Sequence, residues 1–421
     1  MKIRALGGAS ACRAAFGFAL GGGGFAVANL LLARNLPVEE YGLIVLFVAV
    51  IQLGATLGPA GMDAMAVRHR LPATVQLFSR VALTGTLLGG GAAICLHFFF
   101  GVKIDGLLAV LLIIGVLFAA ANKIACSFLL SLGRVRRSMA MLMVINGAML
   151  IGAGIITFSG SEEMEPVAVV IVVAYAISAA YGWYVGYREL RAESAPSVPG
   201  LGKEALSITM TQTSTAVLNQ LDRILIPRIA SSAALGEYAA ATTLAGSPFN
   251  MLQSAALHTL IPKLRNCTNV RAVLQLLRHE AVAALTFASL AAVAAAVVVP
   301  RIGPLLFKGK YDFDIDLVQL IIGLGLLKIW QSFGSATIQA LGSRRALFWQ
   351  SVASWAALAV AAIGAFLFAE RELESIVSAI GIGWLLLCIA STAIAAQAIL
   401  NLPATADDEY SESASQINSR G

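Results

Sequence analysis

Three basic residues and one carboxylate lie well inside long apolar stretches of this chain, away from their first turns: Lys123, Arg223 and Lys328, with Asp222, the most deeply placed carboxylate. A charge in hydrocarbon is expensive, so such groups face protein or water and mark binding sites or ion pathways by default. Lys328 is near the centre of its stretch. Lys123 is about two turns from an end, where reaching the headgroups is the competing reading. Measured back from the loop glycines Gly342 and Gly133, the two lysines stand 14 and 10 residues away. A difference of four is about one helical turn, so both leave nearly the same face. Asp222 and Arg223 share a stretch with Gln212, Thr215, Asn219 and Gln220, too polar to meet lipid. Asp222 reads as a proton or sodium site, or as the counter-ion of a nearby base. Arg223 reads as an anion contact, or as a side chain reaching for headgroups. The net intramembrane charge is positive, which favours an anionic substrate.

The elements that must carry these groups are transmembrane helices. The 421 residues are 58% hydrophobic and only 12% charged, with a mean hydropathy of +0.83. Soluble domains carry roughly 25% charged residues. Twelve apolar stretches reach the length of about 20 residues that a span needs: 14–33, 42–62, 81–100, 106–128, 139–158, 166–187, 205–227, 235–257, 280–300, 317–338, 346–369 and 375–399. They predict an all-α polytopic membrane protein.

The twelve fall into two sets of six. Leu132-Gly133-Arg134-Val135-Arg136-Arg137 follows the fourth stretch, and Leu341-Gly342-Ser343-Arg344-Arg345 follows the tenth. The first stretch ends in Ala33-Arg34-Asn35-Leu36 and re-enters at Tyr41-Gly42. The seventh ends in Pro227-Arg228-Ile229-Ala230 and re-enters at Gly236-Glu237-Tyr238. Six is even, so the repeats are parallel, with a central cavity between them as the natural site. Residues 1–191 form the first six-helix bundle and 203–402 the second. Residues 192–202, with two Pro and two Gly, are the linker. The acidic tail 403–421 is expected to be disordered.

Nineteen Lys and Arg flank one membrane side and seven the other. The positive-inside rule then places both termini in the cytoplasm. That bias also explains the formal net charge of +6 and leaves no nucleic-acid partner to invoke. No two of the five cysteines have a CxxC spacing, and the four histidines are scattered, so no metal site or cofactor is expected. Met1 to Arg4 is basic, but the apolar run follows Cys12, so the first helix is read as retained. Gly17, Gly21 and the run to Gly24 read as close packing or as a bending point. Pro59 and Pro248 interrupt the second and eighth stretches.

Leu30-Leu-Leu-Ala-Arg34-Asn-Leu-Pro-Val-Glu-Glu-Tyr41-Gly42, running on to Gly58-Pro59-Ala60-Gly61-Met62-Asp63, resembles the start of bacterial polysaccharide flippases (Wzx-like). These belong to the multidrug/oligosaccharidyl-lipid/polysaccharide exporter superfamily. Leu218-Asn219-Gln220-Leu221-Asp222-Arg223-Ile224-Leu225 and Ala234-Leu235-Gly236-Glu237-Tyr238 resemble the start of its second half. Pro262 and Leu132-Gly133-Arg134 fit as well. The resemblance implies flipping of an undecaprenyl-diphosphate-linked oligosaccharide across a bacterial inner membrane by alternating access, for surface polysaccharide such as lipopolysaccharide or exopolysaccharide. It implies polymerase and export machinery as pathway partners. Lys328, Arg223 and Lys123 would meet the diphosphate, with Asn219 and Gln220 nearby, and Asp222 would couple an ion. A cation exporter of the same superfamily would want more buried carboxylates. A glycan polymerase or ligase would want a large outer loop, and the longest here is about 16 residues, 301–316.

Overall fold

The computed structural model describes residues 23–69, 71, 73–98, 105–190, 201–267, 269–311, 313–368 and 373–402. The glycines before Gly23, most of the linker and the tail after Leu402 lie outside this set. Fifteen helices carry the described chain: α1 (23–35), α2 (Val38–Leu57), α3 (Met62–His69), α4 (Val75–Phe98), α5 (Gly106–Ser131), α6 (Val135–Leu142), α7 (Val144–Ser159), α8 (Glu165–Leu190), α9 (Leu201–Ile229), α10 (Ser232–Ala241), α11 (Ser247–Arg265), α12 (Val270–Leu306), α13 (Ile315–Leu341), α14 (Arg344–Leu367) and α15 (Leu373–Leu400). No strand occurs among these residues. Local chemistry sets several starts. Asp105, Ser231, Asn269 and Ser343 each accept a hydrogen bond from a backbone N–H of the following first turn.

Eight described helices are long and apolar enough to cross a membrane, and a ninth if α6 and α7, bent by 44°, form one span. The other three expected spans have physical reasons for falling short. Only 13 residues of α1 are described. α9 is long but polar. The eighth span is divided by a π-helix, Thr242–Gly246. Pro248, early in α11, has no N–H to donate one turn back, which accounts for the wide turn just before it. The second span ends early, at Leu57, and residues 58–61 form a turn in which Ala60 and Gly61 have φ of 48° and 75°. α12 is longer than its predicted span. It runs for 37 residues, so parts of the loops expected on either side are helical.

In the first half α5 packs against α2, α4 and α8, and α7 against α8. α4 comes close because Gly85 and Gly89 lie directly on the backbone of Leu117 and Ile113. In the second half α13 packs against α11 and α15, and α14 against α9 and α15. Exposed Leu83, Leu87 and Ile94 of α4, and Val282, Leu285, Leu290 and Val293 of α12, form apolar surface suited to lipid.

The halves meet mainly through α2 against α9 and α10, and through α3 against α9. At the α2–α10 crossing a Cβ on Gly42 would collide with the Ser232 carbonyl, and one on Gly236 with the Val38 carbonyl. Val38 to Gly42 and Ser232 to Gly236 are the same four-residue step. The contact is therefore reciprocal, as a two-fold relation between repeats requires.

Candidate functional site

Beside this crossing lies a cavity of about 500 Å³ between the halves. Its lining comes from α1, α2, α5, α6 and α7 on one side and α9, α10, the π-helix and α11 on the other. It runs from Tyr41, in the first turn of α2, and Tyr238, in the second turn of α10, towards Leu130, Ser138 and Ser254 near the basic membrane side. The far end is shut by more than the glycine crossing. Lys310 and Tyr311 of the second half donate to the backbone carbonyls of Leu36 and Ala33, at 3.0 and 3.2 Å. These are free carbonyls at the end of α1. Burial, helped by Lys308, lowers the Lys310 amine from its usual range. Phe307, Tyr311 and Phe313 form a buried aromatic cluster beside them, with Tyr311 and Phe313 stacked and Phe307 edge-on to both.

Arg223 is the one cation among the described lining residues. It is half-buried, and its Nη1 donates to Gln220 Oε1 one turn back at 3.0 Å. Gln220 in turn donates to Gln52 Oε1 of α2 at 2.8 Å, tying the halves together beside the cavity. Asp222 points elsewhere, as adjacent helical residues must. It is 5% exposed and has both oxygens occupied: Oδ1 accepts from the Arg223 backbone and Oδ2 from the Tyr238 hydroxyl at 2.7 Å. Tyr41 matches this in the first half, donating to Asn29 Oδ1 at 3.2 Å. Tyr41 precedes its glycine by one residue and Tyr238 follows its own by two. Three residues are nearly one turn, so the rings leave similar faces.

Lys328 stands behind this wall. Its ammonium lies over the Trp384 ring, 5.4 Å from the centroid, and Asp222 and Arg223 are the ionisable groups that act on it. Lys123 and Asn219 are not among the lining residues. The ionisable partner of Lys123 is Asp63, in the first half. The fold thus brings Arg223, Gln220, Asp222 and Lys328 into one neighbourhood and directs Lys123 to another.

Sequence reading misses Asn29, Asn146, Asn250, Thr242, Thr243 and the two tyrosines, all of which line the cavity. Lone amides inside apolar spans are the signal that could have found them. Met139, Met143, Met149 and Met251 complete the wall with flexible apolar surface.

The chain matches the family described as "Polysaccharide biosynthesis protein" over residues 25–266, more than half its length. The chain belongs to the polysaccharide biosynthesis protein family. Its fold is that of MOP-superfamily transporters. A multidrug resistance MATE family transporter of that superfamily, in an inward-facing conformation, aligns with a TM-score of 0.63 and 14% identity. The match covers 90% of this chain and 94% of that one. Lipid II flippase MurJ, in an inward closed conformation, aligns with a TM-score of 0.61 and 14% identity, covering 92% and 89%. A MOP-superfamily transporter from Pyrococcus furiosus, described as having a binding pocket of reverse polarity, aligns with a TM-score of 0.57 and 14% identity, covering 93% and 94%. No curated protein matches the sequence.

Within this family fold the Tyr238–Asp222 bond holds α10 to α9. Tyr238→Phe leaves a buried carboxylate oxygen without its donor, which costs about 1–3 kcal/mol. Thermal unfolding of the purified protein should fall by several degrees, and an unchanged midpoint would show that the bond carries no stability.

Proposed function

We propose that this polysaccharide biosynthesis family member flips an undecaprenyl-diphosphate-linked oligosaccharide from the cytoplasmic to the periplasmic leaflet of a bacterial inner membrane. The observation that carries the reading is the cavity wall: one guanidinium at the closed end, a field of amides and hydroxyls, and methionines between them. A guanidinium forks onto phosphate oxygens. Asn, Ser and Thr exchange hydrogen bonds with sugar hydroxyls. The cavity, within the usual range of about 300–1,000 Å³ for ligand sites, takes a glycan headgroup; a long prenyl tail stays in the bilayer. Among the described lining residues there is no carboxylate, because Asp222 is turned away beneath Tyr238. That disfavours a cation exporter.

The basic membrane side is taken as cytoplasmic, with both termini there. In this arrangement the cavity is shut towards the periplasm, and the two six-helix bundles, 1–191 and 203–402, rock about the Gly42–Gly236 crossing. Polymerase and export machinery act on the product. The protein itself carries out transport and no covalent chemistry.

The test is to delete the gene and determine which leaflet holds the lipid-linked glycans. Complete repeat units trapped on the cytoplasmic face, with surface polymer lost, are expected. Units already on the outer face, or glycans unchanged from the parent strain, would overturn the reading.

A further inference from the structure

Asp63 is a second buried carboxylate, in addition to Asp222, that does not line the cavity. It is the second residue of α3, 5% exposed, directly after the turn at 58–61. Its Oδ1 is buried and accepts no hydrogen bond. Asp222, by contrast, has both carboxylate oxygens occupied. A buried carboxylate oxygen without a donor is relieved by binding a proton or a cation. Among the described residues no group of three or more His, Cys, Asp or Glu side chains could hold a metal ion. The positive charge of Lys123, which acts on Asp63, further favours a proton over a metal ion.

The surroundings give such a proton something to do. α3 packs against α5 of its own half and α9 of the other, so it bridges the halves on the basic side. Lys123 on α5 is the charged group that acts on Asp63. α9 carries Lys203 and Glu204 in its first turn and Asp222 and Arg223 farther along; α3 itself carries Arg68 and His69. Burial raises the Asp63 carboxyl above the usual carboxylate range, and Lys123 draws it partly back.

We propose that Asp63 is a proton-binding site, with Lys123 as its counter-charge, that switches the contact between α3 and α9. Ionised, Asp63 is attracted by Lys123 through space, which favours α3 held against α5. When a proton from water on the basic side binds, that attraction is lost and α3 is freed to shift against α9. The proton leaves by the same route in the reverse step, and no other bond changes. The switch rests on alternating access between the halves and not on the identity of the cargo.

Trp183 is a reporter built into the fold. It packs with Met65 and Ala66 of α3 in one buried cluster and donates to the Ala121 carbonyl at 2.9 Å. In full-length protein with Trp330, Trp349, Trp355 and Trp384 replaced by Phe, Trp183 emission should titrate as a single proton. Its midpoint should lie clearly above the ordinary aspartate value of about 3.9. Asp63→Asn should abolish the titration, and Lys123→Gln should move its midpoint to higher pH. Hydrogen exchange of the peptide covering residues 62–69, with the native tryptophans kept, gives a second readout. Well above the emission midpoint Asp63→Asn should exchange about tenfold faster than the parent, an opening difference of about 1.4 kcal/mol; well below it the two should coincide. A titration that survives Asp63→Asn, a midpoint indifferent to Lys123→Gln, equal exchange at both pH values, or a full response to sodium at fixed pH would each overturn the proposal. Neither readout needs cargo, so failure here and failure of the leaflet assay are distinguishable.

Discussion

Arg223→Ala is expected to abolish surface polysaccharide while the protein still accumulates in the membrane. The guanidinium is the one positive group among the described lining residues, at the closed end of the cavity. Removing a charge-assisted bond to an anion costs about 1.5–3 kcal/mol per bond, and a forked contact loses two. The expected fall in transport is therefore about a hundredfold or more, close to complete loss of polymer. Arg223→Lys keeps the charge but not the fork, so an intermediate level is expected. Gln220 should matter less, because it positions the guanidinium and ties it to Gln52 without reaching the cargo itself. Lys328→Ala acts from behind the wall, through Asp222 and Trp384, and should lower stability more than it lowers cargo affinity. The measurement is polymer on the cell surface, set against the amount of each variant in the membrane. Normal polymer in Arg223→Ala would remove the anion contact from the mechanism.

Gly42→Val, or Gly236→Val, leaves the cavity unable to shut on its far side. Backbone touches backbone at this crossing, so no neighbouring side chain can swing away from an added Cβ. Overpacking a closed contact typically costs about 1–3 kcal/mol. The cost falls only on the conformation in which α2 and α10 touch, and shifts the population towards the other one by a factor of about ten to a hundred. Transport stops although the chain still folds. A cysteine at Thr243, which lines the cavity, should become open to an impermeant maleimide added from the side of Lys310 and Tyr311. Labelling no faster than in the parent would show that the crossing does not gate access.

Some of this is legible in the sequence because it depends on composition and local chemistry. The all-α membrane fold and the matching basic loops follow from apolar run length and from Gly133 and Gly342, although three of the twelve expected spans fall short among the described residues and α12 extends into both of its expected loops. The polarity of α9 is enough to single out Arg223, Asp222 and Gln220. What a one-dimensional pattern does not supply is direction. Lys123 and Lys328 match by register, yet Asp63 sits beside one and Asp222 and Trp384 beside the other. Those partners come from distant parts of the chain. The two tyrosines and Asn29 are passed over for a related reason: a hydroxyl or amide in an apolar span looks ordinary until its partner across the helix pair is known. The α2–α10 crossing is visible only as a vague likeness between Tyr41-Gly42 and Gly236-Glu237-Tyr238.

The π-turn at Thr242–Gly246 bears on how the two halves have diverged. The repeats meet as equals at Gly42 and Gly236, but Pro59 lies seventeen residues beyond the first and Pro248 only twelve beyond the second. One half interrupts its helix near the basic surface, after Leu57, while the other loosens at the cavity itself. The two halves thus share the line along which they touch and differ in where each bends. Past the touching turn the two bundles form a lopsided pair, with unlike joints set at unlike depths.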